Sequence, residues 1–158
     1  MNMLINQILL AIAILTTGVV YGTDVFHAIV VKKAVSLSSD SAIADLMGHT
    51  HLIADKRMPL IGATSLVSSL LITVLNYNSA LAIYSGVALI ALISHLIIYL
   101  RVAKPINVQM SAAAMAQKTP ADIRSLQLRW DSVISYRALL LTIAMGALIS
   151  GILVTSGK

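Results

Sequence analysis

Three long stretches of the chain carry no charged side chain: 1–23, 58–100 and 138–157. All six acids and ten of the eleven bases fall in the two windows between them, 24–57 and 101–137. At about 1.5 Å per residue, a helix over the 43 residues of 58–100 would be roughly 64 Å long, about twice the roughly 30 Å hydrocarbon core of a bilayer. That stretch must fold back on itself, and Asn76-Tyr77-Asn78-Ser79 is its only polar, turn-favouring cluster. The pattern predicts four transmembrane helices, near 4–31, 59–75, 80–100 and 134–155.

The helix ends are marked by local signals. The first apolar run has no Lys or Arg at its amino end and is too long for the h-region of a secretory signal, so it is read as a retained span. Thr119-Pro120-Ala121-Asp122 offers an N-cap, a proline at the first helical position and an acid at the third, which starts helix 4 well before its apolar run. Pro59 either opens helix 2 or kinks a longer helix that begins near Ser39-Asp40-Ser41. There is no internal repeat and no separable linker. The expected fold is all-α: one integral membrane four-helix bundle over 1–158, with cytoplasmic helical extensions.

Composition agrees with the bilayer as solvent. The chain is 58% hydrophobic and 11% charged, against about 25% charged in soluble domains, and it has no Glu. With no cysteine, a disulfide scaffold, a thiolate metal site and a cysteine nucleophile are excluded. The 1–2 connection carries Lys32, Lys33, Lys56 and Arg57, and the 3–4 connection carries Arg101, Lys104, Lys118, Arg124 and Arg129, while the 2–3 turn has no base. The positive-inside rule then places both long connections in the cytoplasm and the termini outside, in an inner (cytoplasmic) membrane. The basic pI follows from this bias, and loops this short hold no folded nucleic-acid-binding domain.

Threaded this way, the uncommon residues meet at the cytoplasmic end. Asp24 and His27 lie i, i+3 on helix 1; His49, His51 and Asp55 open helix 2; His95, Tyr99, Arg101 and Asn107 close helix 3; Trp130, Asp131 and Arg137 lead into helix 4. An Asp or Arg at the centre of a transmembrane helix costs about 2.5–3.5 kcal/mol unless it is paired or faces a cavity, so Asp24 and Arg137 are the preferred intramembrane pair. A salt bridge with a purely structural role is the alternative. His51 and Asp55, at i, i+4, share a face and are a metal-ligand candidate pair, joined by His27, His49 or His95. A bis-histidine haem held by His27 and His95 is another alternative, without any Cys-x-x-Cys-His pattern. Gly18 and Gly22 form a GxxxG, read as tight packing inside the bundle, with a homo-oligomer as the other outcome.

Lys104-Pro105-Ile106-Asn107, then Arg129-Trp130 and Tyr136-Arg137 at the start of the last span, resembles the DUF1772 family of small four-helix membrane proteins, which includes the anthrone oxygenase-like proteins. The run from His51 through Arg57 to Pro59 is similar to that family's second-helix entrance. The resemblance implies an oxygenase that oxidises a hydrophobic aromatic molecule with dioxygen, without an obligatory organic cofactor. Under it, His51 or His95 is the general base, Arg137 or Arg101 stabilises an oxyanion, Asp24 completes the catalytic set, and Asn107, Trp130, Tyr99 and Arg101 hold the substrate. A metal on the histidines would take over oxygen activation. The competing functions are a non-enzymatic transporter or partner-binding subunit built on an Asp24, Arg137 and His95 network, and a His-ligated haem or metal electron carrier. The expected partners are the lipid bilayer and a hydrophobic small molecule.

Overall fold

The computed structural model describes residues 3–156, and the described residues are all-helical. The extreme termini, whose side of the membrane the charge bias assigns, lie outside the described residues. Four long helices follow one another: α1 (Met3–Ser36), α2 (Asp40–Leu75), α3 (Ala80–Met115) and α4 (Ile123–Ser156). Each is long and apolar enough to cross a membrane. The four apolar spans therefore stand as parts of longer helices.

The connections show why the helices run beyond their apolar stretches. Ser39 caps α2, its hydroxyl accepting from the Ala42 amide at 3.3 Å, so the longer of the two starts for helix 2 is the one formed. Pro59 lies inside that helix, where its ring nitrogen has no proton to give the Asp55 carbonyl. α3 continues through Arg101 and Lys104 to Met115. It closes with Gln117 in the left-handed region (φ 52°), the Lys118 amide on the Ala113 carbonyl and the Gln117 amide on that of Ala114. This pair of bonds is the Schellman closure, here without the usual glycine. α4 starts later than its cap signal indicates: Pro120 accepts from the Ile123 amide in a tight turn, and regular helix begins at Ile123. Thr119 is therefore not its N-cap.

The chain divides into two compact units, each drawing on all four helices. The first comprises 1–22, 60–95 and 139–158. Its core is Leu10, Ala13, Ile72, Leu81, Ala88, Leu141, Ala144 and Leu148. Several hydroxyls and amides are turned inward and bonded: Asn6 and Asn76 exchange hydrogen bonds at 3.0 Å, Thr17 bonds Ser65, and Thr73 donates to Ser85 at 2.9 Å. Leu15, Ile83, Ile90 and Leu153 face outward. Polar groups inside and large apolar groups outside is the arrangement a hydrocarbon solvent selects.

The GxxxG does not make a close crossing. The nearest atom to a Cβ on Gly18 would be the end of Met145, 3.9 Å away, and Gly22 has nothing within 4 Å. Close packing in this unit is at Gly151, where a Cβ would stand 3.1 Å from Leu81.

The second unit comprises 23–59 and 96–138. Its core includes Val35, Ile43, Met47, Ala103, Ile106, Met110, Leu126 and Ile134. α2 meets α3 at Gly48, where a Cβ would lie 2.5 Å from that of Ala114 and 2.6 Å from the Met110 carbonyl oxygen. Ser111 donates to the Gly48 carbonyl at 3.2 Å across the same contact. Only a residue without a side chain permits this approach.

Candidate functional site

The second unit carries the polar cluster, and the local helix geometry positions it. Single π-helical turns occur at His27–Val31, Ile43–Met47 and Tyr99–Ala103. Such turns insert one residue, reset which side chains face inward, and are frequent at functional sites. On α3 Tyr99, Ala103 and Asn107 lie on the inner face, and Arg101 is exposed. On α4 an unbroken stripe of Ile123, Leu126, Gln127, Trp130, Asp131, Ile134 and Arg137 is buried.

Trp130 is the hub. Its indole Nε1–H donates to Asn107 Oδ1 at 2.8 Å. His27 packs on the ring with centroids 4.3 Å apart and His51 at 5.3 Å, both tilted, and the Arg137 guanidinium carbon lies 5.3 Å from the ring centroid. The same guanidinium is 5.9 Å from the Tyr99 ring. Arg137 donates to Asp24 Oδ1 at 3.0 Å, the two side chains being 8% and 7% exposed, so the pair expected from the charge pattern is formed and buried.

Two further carboxylates complete the network. Asp55 Oδ1 accepts from the Tyr99 hydroxyl at 2.9 Å and from Asn107 Nδ2 at 2.8 Å. Asp131 Oδ1 lies 3.1 Å from His27 Nε2 and accepts from Gln127 Nε2 at 3.0 Å. A cleft of about 110 Å³ lined by Val35, Ser36, Ile43, Arg124, Gln127, Leu128 and Asp131 reaches this second carboxylate.

Gln127 Oε1 is buried without a hydrogen-bond partner, and so is a ring nitrogen of His51. His51 is 4% exposed, and the nitrogen is Nε2. Asp55, His27, Arg137 and Asp131 are the ionisable groups close enough to act on it. A buried imidazole nitrogen costs about 1–3 kcal/mol when unsatisfied, so its retention beside a cation and an aromatic ring calls for a chemical explanation.

Of the residues expected to form the site, the structure brings together Asp24, His27, His51, Asp55, Tyr99, Asn107, Trp130 and Arg137 in this unit. His95 is half-buried and belongs to the first unit. Two expectations are corrected. Arg101 is exposed and is not drawn into the buried cluster, two residues' separation from Tyr99 carrying it round the helix. His49 is exposed and bonds Asp45 of its own helix, since two residues' separation from His51 carries it round to the other face.

The metal shell proposed from His27, His49, His51, Asp55 and His95 is not assembled: among the described residues no three His, Cys, Asp or Glu side chains converge as ligands. Asp131 holds His27 Nε2, and Tyr99 and Asn107 occupy Asp55 Oδ1. The committed His27 nitrogen likewise does not suit an axial haem ligand.

Asp131 and Gln127 are site residues that sequence reasoning did not assign. Their signal was the buried i, i+3, i+4, i+7 stripe they share with Trp130 and Ile134. Comparison with protein-family models, with curated proteins and with solved structures gives no match to this chain.

Proposed function

We propose that the protein is an integral membrane oxidoreductase that oxidises a hydrophobic aromatic small molecule with dioxygen, in the manner of the DUF1772 proteins its motifs resemble. The observation that carries this reading is His51: a buried imidazole nitrogen with no partner, packed on Trp130, with the Arg137 guanidinium on the same ring. An imidazole lone pair beside a fixed cation is the minimum needed to remove a proton from carbon and hold the charge that results.

In this mechanism the substrate carries a methylene between two aromatic rings, conjugated to a ring oxygen. His51 Nε2 takes one methylene proton, and Arg137 stabilises the negative charge that moves to the oxygen. Asp24 holds the guanidinium in place, and Trp130 and Tyr99 stack against it. The carbanion adds dioxygen, the peroxide anion takes the proton back from His51, and loss of water leaves a carbonyl. One dioxygen is consumed and one water released, with no external reductant. Such a lipophilic substrate, in this reading, enters from the lipid between helices. In this reading the polar unit faces the cytoplasm from an inner membrane, with the termini outside.

A second reading is favoured by how many of these groups satisfy one another. Asp55, Asn107, Trp130, Asp131 and His27 are bonded internally, as in a polar core that fixes helix register in a non-enzymatic membrane protein.

The test is aerobic incubation of the detergent-purified protein with an anthrone, following quinone absorbance and oxygen uptake together. The enzyme reading expects one dioxygen per quinone and loss of turnover in His51→Ala, with His49→Ala unaffected. A folded protein with no turnover above the buffer rate would favour the polar-core reading, and equal turnover in His51→Ala would remove His51 as the base.

A further inference from the structure

The cleft at Asp131 has no part in the oxidation chemistry above. Its walls come from α1 (Val35 and Ser36), from the first turns of α2 (Ile43) and from α4 (Arg124, Gln127, Leu128 and Asp131). Val35, Ile43 and Leu128 are its apolar part, and the other four decide which polar group it can take.

The charged, amide and hydroxyl donors of this set already have acceptors. Arg124 gives Nε to Asp40 at 2.6 Å and Nη2 to the Ser38 carbonyl at 2.7 Å, so its charge is matched. Gln127 Nε2 donates to Asp131 Oδ1 at 3.0 Å, and the Ser36 hydroxyl donates to the Lys33 carbonyl at 2.7 Å.

The acceptors lack donors. Gln127 is 3% exposed, and its Oε1 is buried with no partner. Asp131 is 5% exposed; His27 and Gln127 take its Oδ1, and Lys32 reaches only its main-chain carbonyl. Among the described residues Asp131 Oδ2 makes no hydrogen bond. Ser36 Oγ, whose proton goes to Lys33, keeps its lone pairs.

Three acceptor oxygens without donors, one of them on a carboxylate, select a group with N–H bonds and no acceptor of its own. A primary ammonium has three such bonds and a positive charge. A carboxylate or phosphate would bring further acceptors and a like charge against Asp131, and a quaternary ammonium has no N–H to give. The cleft volume of about 110 Å³ suits about four heavy atoms, since about 150 Å³ holds the six of benzene. We infer that this cleft binds a primary ammonium carried on a short alkyl chain, its methylenes lying against Val35, Ile43 and Leu128. A free alkylamine and the headgroup of phosphatidylethanolamine both offer that chemistry.

The experiment is ¹H–¹⁵N NMR of the full chain in dodecyl maltoside at fixed ionic strength, following the Gln127 side-chain amide with the Asn6 and Asn76 amides as references. A primary ammonium, supplied as n-propylammonium or as dioleoyl phosphatidylethanolamine, is expected to shift the Gln127 signal saturably. n-Propanol, propionate and dioleoyl phosphatidylcholine are expected to leave it in place. Ser36→Ala, at an exposed position, weakens binding about fivefold, and Asp131→Asn by at least about tenfold. Should Asp131→Asn fail to fold, Ser36→Ala and the selectivity of the parent still decide. A response to the lipid alone marks a headgroup site, and a response to propylammonium a site for free amines. No saturable shift with either ammonium compound, an equal shift from propanol, propionate or phosphatidylcholine, or unchanged affinity in either folded variant overturns the proposal. No readout depends on turnover, so the oxygenase reading stands or falls separately.

Discussion

Removing one member of the Asp24–Arg137 pair should be among the most damaging single changes in the second unit. The two charged atoms are 3.0 Å apart and the side chains 7% and 8% exposed, so water screens them little. At an effective dielectric constant of about 20, two unit charges at that distance attract by about 5 kcal/mol. Breaking a buried pair from one side costs about 3–5 kcal/mol, because the remaining charge stays desolvated. Arg137→Met and Asp24→Leu should therefore each destabilise the protein by about 3–5 kcal/mol. The double variant should lose much less than the sum, since replacing both charges by apolar groups removes the desolvation penalty with the attraction. Arg137→Lys should fall between, because it keeps the charge and loses the flat face on Trp130 and Tyr99. The assay is a double-mutant cycle on unfolding in mixed detergent micelles. Additivity within about 0.5 kcal/mol would refute the reasoning, since it would mean that the two charges do not sense each other.

Other expectations follow from single contacts. Gly48→Ala places a Cβ 2.6 Å from a carbonyl oxygen and 2.5 Å from Ala114, so it should lower stability by about 1–3 kcal/mol, with only partial rescue by Ala114→Gly, measured by thermal unfolding in detergent. Gln117→Gly should raise stability by about 0.5–1 kcal/mol in the same assay, because Gln117 holds a positive φ that glycine adopts without strain. Trp130→Phe withdraws the donor from buried Asn107 and also deletes the five-membered part of the indole; a loss of at least about 1–3 kcal/mol is expected, and an unchanged unfolding midpoint would show that neither contributes. His49→Ala should stay within about 0.5 kcal/mol of the parent, as its ring is exposed and bonded only within its own helix.

Four helices, their approximate spans and the turn at 76–79 could be read from the sequence because the absence of charge over 58–100 admits few other outcomes. The pairing of Asp24 with Arg137 was legible for the same reason: a buried charge in an apolar helix needs an opposite one at its own depth, and the pattern offers few. Seven residues' separation also puts Trp130 on the face of Arg137.

What the sequence left undecided was which way each remaining side chain turns. Spacing alone sets Tyr99, bonded to Asp55, and Arg101, exposed two residues later, on opposite faces, but which of the two faces inward was fixed only by the packing of α3 on α2. Helix starts depended on competing caps of similar strength: Ser39 prevailed over Pro59 as the start of α2, and a tight turn at Pro120 displaced the Thr119 cap. The close helix contact expected at Gly18 and Gly22 is not made, whereas Gly48 makes one, because a glycine allows approach without requiring it, and only the neighbouring helix supplies the Met110 carbonyl and Ala114. The solitary state of His51 is likewise a property of packing. Its residue type and its spacing from Asp55 are in the sequence, but the ring of Trp130 beside it and the lack of any partner for Nε2 come from four helices converging.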